Sequence, residues 1–257
     1  MTPLTAENRI VCHFSCGAAS AVATKLTLSE YDRARVVIFN AFIVEEHPDN
    51  RRFLADCERW FNHPVTVLRD ETYGASVREV WRRKRFMKGP YGAPCSMHLK
   101  REVIEAACLS TDRHVFGYTA EELVKRPAVQ RMIDHGALVP LIDRGLSHAD
   151  CLSIVERAGI QLPAMYGLGF NNANCKICCK GGEGYMNHSR DVFPDDFAEV
   201  VQIQEDIGPG AYLFRDRKTG ERYGLKDLEP GTGRHDITAP SCSFMCSDAE
   251  EEIGARE

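Results

Sequence analysis

The sequence predicts an α/β protein: a doubly wound, mostly parallel, Rossmann-like sheet with a small C-terminal α+β appendage. Three observations predict it. Short apolar runs rich in β-branched residues alternate with segments of helical periodicity. A turn of small residues, "FSCGAAS" at Phe14–Ser20, separates the first such run from the first helical segment. After about residue 180 the alternation gives way to a helix, a hairpin and a loop-like stretch.

Taken in order, "RIVCHF" and "VVIFNAFIV" read as buried parallel strands, and "PVTVL", "HVFG" and "LVPLI" as later ones. Phe53, Leu54, Cys57, Trp60 and Phe61 recur at helical spacing and predict a helix over Asn50–Asn62. Ser147 and Asp150 stand in near capping-box spacing, and Gly159 stops that helix. "FPDDFAEVVQIQEDIG" is a helix with Pro194 near its start and Gly208 at its end. "AYLFRDRKTGERYGL" is a hairpin turning at Lys218-Thr219-Gly220. The expected layout is a nucleotide-binding α/β domain over 1–180 and an appendage over 181–257, made of helix, hairpin and Cys-containing tail, packing on it.

The 257 residues, 44% of them hydrophobic and 9% aromatic, allow a sizeable core. No apolar run approaches a membrane span, and the N-terminus lacks the basic and apolar regions of a signal peptide. A cytoplasmic protein without a membrane partner is the expectation. A net charge of −5 argues against polyanion binding by the whole molecule. Ser76–Arg101 departs from this, with eight Lys or Arg against one acid, Glu79, a local +7 that leaves −12 elsewhere. That stretch is either a solvated helix face or a basic patch for phosphates and nucleic acid.

Ligands of parallel α/β sheets bind at the carboxyl ends of strands, so the first strand–helix turn is the place to look. Here Ser15 and Ser20 supply hydroxyls, Gly17 permits close backbone approach, and Ala18 and Ala19 are small. The N–H groups that open the next helix would face an anion. Cys16 is the odd member; its backbone is expected to serve the anion while its thiol packs beneath the loop.

This loop resembles the Ser-Gly-Gly-x-x-Ser pyrophosphate (PP) loop of the adenine nucleotide α-hydrolase-like superfamily. Further segments resemble its PAPS/APS (phosphoadenylylsulfate/adenylylsulfate) reductase branch in the right order. "GYTAEELVKR", Gly117–Arg126, is similar to a Gly-x-Arg-x-x-Glu-Ser-x-x-Arg segment, with Thr119 in place of the first arginine. Pro140–Cys178 follows that branch's Asp…Leu-Pro…Leu-Tyr…Cys-x-x-Cys run. Ala19 replaces the aspartate common in ATP-cleaving members, and the branch's terminal Glu-Cys-Gly-Leu-His is met only by "SCSFMCS". The residues from Gly181 to Gly233 look more like the extended PAPS-reductase-like proteins of phage genomes.

Eleven cysteines in a reducing compartment are not a disulfide framework. Cys57, Cys108 and Cys151 fall on apolar helix faces and are assigned to the core. "NCKICCKGG" presents Cys175, Cys178 and Cys179, and a C-x-x-C turn can place two thiolates on one metal. The resemblance implies a 4Fe-4S cluster on a Cys-Cys pair plus a later Cys-x-x-Cys. Cys95, Cys175 and Cys178 match; the second member of the pair is Ser96. The fourth position is then an open iron, or Cys242 or Cys246 folding back, with Cys246 taken as the ligand. Zinc on Cys175, Cys178, Cys242 and Cys246 is the competing reading, and free buried thiols the third.

The resemblance implies an enzyme, an oxidoreductase or sulfur-transfer protein. The phosphates of PAPS, APS or ATP would lie on Ser15–Ser20, with Gly117 nearby and Lys100, Arg101 and Arg126 on the anionic end. Asn40 and Glu45-Glu46-His47 follow the second strand and could meet the adenosine. A C-terminal thiolate, Cys242 or Cys246, would attack sulfur, with Lys100 beside the reaction and a thiol or ferredoxin-type electron donor. The alternatives are ATP-dependent thiolation of a tRNA or DNA base, and a zinc-stapled nucleotide-binding module without catalysis.

Overall fold

The computed structural model describes residues 9–90, 92–241 and 244–254. The chain runs β1 (Ile10–His13), α1 (Ala18–Glu30), β2 (Val36–Ala41), α2 (Asn50–Phe61), β3 (Val65–Leu68) and α3 (Val77–Lys84). Next come α4 (Pro94–Ser96), a π-helical turn (Met97–Arg101), α5 (Glu102–Ala107), β4 (Arg113–Val115), α6 (Ala120–Lys125), α7 (Pro127–Asp134) and α8 (Pro140–Asp143). Then follow α9 (His148–Arg157), α10 (Ala164–Gly167), α11 (Glu183–Val192), α12 (Pro194–Ile207), the hairpin β5 (Phe214–Arg215) and β6 (Arg222–Tyr223), and α13 (Phe244–Gly254).

The four strands of the sheet are all parallel, in the order β3-β2-β1-β4, with Ile10 opposite both Val36 and Arg113. Side chains alternate across it with the period of a strand. Ile10, Cys12 and Ile38 face one way, into a core with Leu26, Phe53 and Leu152 from α1, α2 and α9. Val11, Phe39 and Ala41 face the other way, against Ile104 of α5. Chain order departs from spatial order between β1 and β4, so a crevice opens beyond their carboxyl ends.

The strand expected at "LVPLI" does not form. Leu138 makes a single bridge to Val115, and Pro140 opens α8 instead. Proline has no N–H for a ladder but suits the first turn of a helix. The α9 cap forms as a reciprocal box: Ser147 Oγ accepts from Asp150 N at 3.1 Å, and Asp150 Oδ2 accepts from Ser147 N at 2.9 Å.

A second core joins α3 and α4 to α12 through Trp81, Cys95, Cys175, Cys179, Phe197 and Val200. Salt bridges reinforce that junction. Arg78 reaches both Asp196 and Glu199, and Arg82 reaches Glu199 at 3.0 Å. Arg83 pairs with Glu79 at 2.5 Å, and Arg85 donates to the Asp206 carbonyl at 2.8 Å. Much of the basic run therefore faces acids and carbonyls of its own chain. Among the described residues, no helix is long and apolar enough to cross a membrane.

Candidate functional site

The Phe14–Ser20 loop lies at the crevice. Ser20 Oγ accepts from Ser15 N at 3.1 Å and donates to Gly17 O at 2.9 Å, closing the loop on itself. Gly17 is the N-cap of α1, whose first turn carries no acid. Tyr166 Oη takes the Ala18 N–H at 3.1 Å. Gly117, just beyond β4, presses against the loop: a Cβ there would stand 2.7 Å from Ser20 N.

Cys16 holds the only strained position of the loop, with φ 56°, in the left-handed region. Its side chain is fully buried and turned from the crevice, where Sγ accepts from Asn40 Nδ2 at 3.4 Å. Burial pushes its thiol up to about 12, against the partial opposition of Arg51. Asn40 also donates to Phe14 O at 2.8 Å, so it holds the loop from below rather than reaching a ligand.

A cavity of about 1,020 Å³ opens in front of the loop. Ser15, Gly17, Ala19 and Ser20 line it, with Lys100, Arg101, Gly117 and Arg126. Three of its cations are already paired: Lys100 with Glu46 at 2.9 Å, Arg101 with Glu105 at 2.7 Å and Arg126 with Glu122 at 3.1 Å. The Arg101 and Arg126 side chains are 71% and 62% exposed, so both pairs are weak and can exchange partners for a bound anion. A row of rings, His114, His13, Phe116 and Tyr118, forms another wall. His13 stacks on Phe116 at 4.3 Å and shares a hydrogen bond of 3.0 Å with His114. Burial, and then His114, lower the His13 pKa to about 4.

The thiols lie behind Lys100. Cys95, Cys175 and Cys179 are buried in one core and Cys178 is half-buried beside them. The neighbouring Cys179 thiol lowers the Cys95 pKa to about 7 against the effect of burial. Cys95, and then burial, raise Cys179, while burial raises Cys175 and Cys178. Burial also pulls the Lys100 ammonium down, but Glu46, Cys175 and Cys178 outweigh it, so Lys100 stays charged. Among the described residues, no three His, Cys, Asp or Glu side chains form a group that could hold a metal ion. The donors suit a cluster in kind: they are thiols, and the buried Trp81 Nε1–H near Cys95 has no hydrogen-bond partner. A cluster also binds each thiolate at a different iron, so its ligands need not converge on one point.

Several predicted residues lie elsewhere. Cys246 is on α13, fully buried in the first core, where Arg157 donates to it at 2.7 Å; it joins neither the thiol group nor the cavity. Cys242 lies outside the described residues. Glu45 caps α3, taking Val77 N at 2.8 Å, while His47 accepts from Asp49 N at 3.2 Å, so neither faces the cavity. Cys108 is half-buried at the end of α5. Sequence reasoning missed the ring row and the placing of Cys179 in one core with Cys95. The adjacent Cys178-Cys179 was the one available signal for the latter.

No protein-family model matches the chain, and no curated protein matches it.

Proposed function

We propose that this protein is an adenine-nucleotide-binding, iron–sulfur enzyme of sulfur metabolism, similar to sulfonucleotide reductases. One observation carries the reading. Lys100 lines the cavity in front of the loop and pairs with Glu46 at 2.9 Å, and the Glu46 backbone bridges to Cys175, so one ion pair joins the anion site to the thiols. The nucleotide phosphates lie on Ser15–Ser20, and Lys100, Arg101 and Arg126 hold the anionic end. Cys95, Cys175 and Cys178 hold a 4Fe-4S cluster, which when bound supplies a fixed polarising field beside Lys100.

Of the two C-terminal thiols in the proposal, Cys246 is withdrawn by its burial. Cys242 remains as the nucleophile. The Cys242 thiolate attacks the sulfonyl sulfur, and the sulfur–oxygen bond to the nucleotide phosphate breaks. AMP, or its 3′-phosphate, departs with that oxygen and electron pair, leaving a thiosulfonate on Cys242. A dithiol donor attacks the Cys242 sulfur and releases sulfite; its second thiol frees Cys242, so the donor is oxidised to a disulfide. Lys100 neutralises the sulfonyl oxygens.

The test is titration of anaerobically purified protein with PAPS, APS, ATP and AMP, beside iron and zinc counts. A sulfonucleotide is expected to bind, with loss in K100A, and iron is expected over zinc. An intact fold that binds none of the four nucleotides overturns the loop assignment. A colourless protein with stoichiometric zinc overturns the cluster.

A further inference from the structure

We propose that the base of the bound nucleotide stacks on the ring row of His13, Phe116 and Tyr118, on the β4 side of the loop, and not at the end of β2. The inference rests on the nucleotide-binding reading above. It says where the flat end of that ligand lies.

Strand register builds the row. Val11 and Cys12 stand beside His114 and Val115, so the next pair along the two strands is His13 and Phe116. Alternation puts His13 on the face of Val11, and Phe116 on the same face as His114. Among the described strands β4 is an edge, and His13, His114, Phe116 and Tyr118 are half-buried rather than sealed in a core. His13 stacks on Phe116 at 4.3 Å, with the planes 26° apart, and Tyr118 follows Phe116 at 5.8 Å. His13 and His114 spend one ring nitrogen each on the other, at 3.0 Å. Burial, and then His114, keep His13 uncharged at neutral pH. The wall therefore offers mainly aromatic face, and every nucleobase has a face to lay on it.

The row begins where the phosphate loop does. His13 ends β1, Ser15 follows two residues later, and both line the same cavity of about 1,020 Å³. That volume has room for a whole nucleotide. A ligand that puts an anion on the loop and a flat ring on Phe116 needs a short linker between them, which a ribose supplies.

The end of β2, the expected place for adenosine, is closed. Asn40 donates to Phe14 O at 2.8 Å, and its own oxygen accepts from Arg51 at 3.2 Å. Phe42, the ring that follows β2, already meets the guanidinium groups of Arg51 and Arg69, each at 5.1 Å. None of these four residues lines the cavity.

The experiment is calorimetry with AMP and ribose 5-phosphate, beside nuclear Overhauser spectra of bound AMP. Wild type is expected to bind AMP about tenfold tighter than ribose 5-phosphate, or more. F116L keeps the bulk and loses the ring. It is expected to bind AMP about tenfold more weakly, with ribose 5-phosphate within about twofold of wild type. F42L is expected to match wild type for both ligands. The adenine H2 and H8 protons are expected to show contacts to the rings of His13, Phe116 or Tyr118. Those spectra need no variant and stand even if F116L does not fold. Equal wild-type affinities for the two ligands, undiminished AMP binding in F116L, loss of the AMP preference in F42L, or adenine contacts to Phe42 instead of the row would each overturn the proposal. Single-stranded oligoadenylate bound about tenfold tighter than AMP would overturn it too, in favour of a platform for successive bases. Wild type that binds neither AMP nor ribose 5-phosphate overturns the loop reading instead, and shows it before any variant is made.

Discussion

Lys100 Nζ lies 2.9 Å from Glu46 Oε1, and that pair stands between the large cavity and the buried thiols. The Glu46 side chain is only 4% exposed; its other oxygen accepts from Asn50 at 3.1 Å, which also donates to the Ala173 carbonyl at 3.1 Å. The network ties the end of β2 to the segment that leads into Cys175. Glu46 therefore acts as the counter-ion of Lys100 rather than as a contact for adenosine.

Removing Lys100 should cost stability and binding separately. In K100M the Glu46 carboxylate is left buried without its cation, at about 2 kcal/mol, below the roughly 3–5 kcal/mol of a fully buried pair because Lys100 opens partly on the cavity. E46Q/K100M should recover much of that loss in urea unfolding, while sulfonucleotide affinity stays at least tenfold down. Recovery of affinity in the double variant would show that Lys100 serves only the fold.

Cys16 and Gly117 should respond oppositely to small changes. Glycine suits the left-handed backbone of Cys16, and its thiol lies away from the cavity. C16G should keep nucleotide affinity within about threefold, with relief of backbone strain of about 1 kcal/mol set against lost burial. Iron content should not change. G117A puts a methyl group 2.7 Å from Ser20 N, where backbone must yield. Its nucleotide affinity should fall at least tenfold in calorimetry, with the fold kept.

The His13–His114 pair predicts an acid limb in stability. His13 titrates near 4 in the folded chain and near 6.5 when unfolded. Between those values the unfolded chain binds the extra proton, so stability falls as pH drops from about 6.5 to about 4. The span corresponds to at most about 3.4 kcal/mol. Urea unfolding at pH 7 and pH 5 should show the loss in wild type and a smaller loss in H13Q. Equal slopes in the two proteins would remove His13 as the cause.

Arg78 and Arg82 should act as struts between α3 and α12 rather than as a nucleic-acid surface. R78A should lower the unfolding midpoint, at about 1–3 kcal/mol, because Asp196 and Glu199 each lose one of two cationic partners, keeping Lys176 and Arg82. R82A, at an exposed pair, should cost under about 1 kcal/mol. A gel shift with tRNA or duplex DNA should be weak in wild type at 150 mM salt (a salt at which exposed pairs are screened within about 8 Å). Tight binding lost in R82A would instead restore the nucleic-acid reading.

Much of the sheet was legible because strand and helix periods differ and β1, β2 and β3 are short and apolar. The α9 cap could be read from Ser147 and Asp150, since a capping box is local. "LVPLI" misled because an apolar run of that length suits either a strand or a helix, and Pro140 settled it toward the helix. The loop, Lys100 and Arg101 were named from residue type and Gly117 and Arg126 from the resemblance, and the fold brings them to one cavity. Glu45, Asn40 and Cys246 could not be placed that way. Each is a polar or sulfur group whose partner is remote in sequence: the start of α3 for Glu45, the underside of the loop for Asn40, and Arg157 for Cys246.

The sequence by itself determined the parallel α/β class, the small-residue turn after β1 and the supply of thiols, because composition, period and short-range capping act over a few residues. Tertiary structure alone decided that Cys179 shares a core with Cys95, that Ser96 turns to the cavity, that Cys246 is shut in the other core, and that the basic run meets α12. Those pairings join positions far apart in the chain. Which of them forms depends on how β1 and β4 set the crevice and how α3 and α12 close the second core around the thiols.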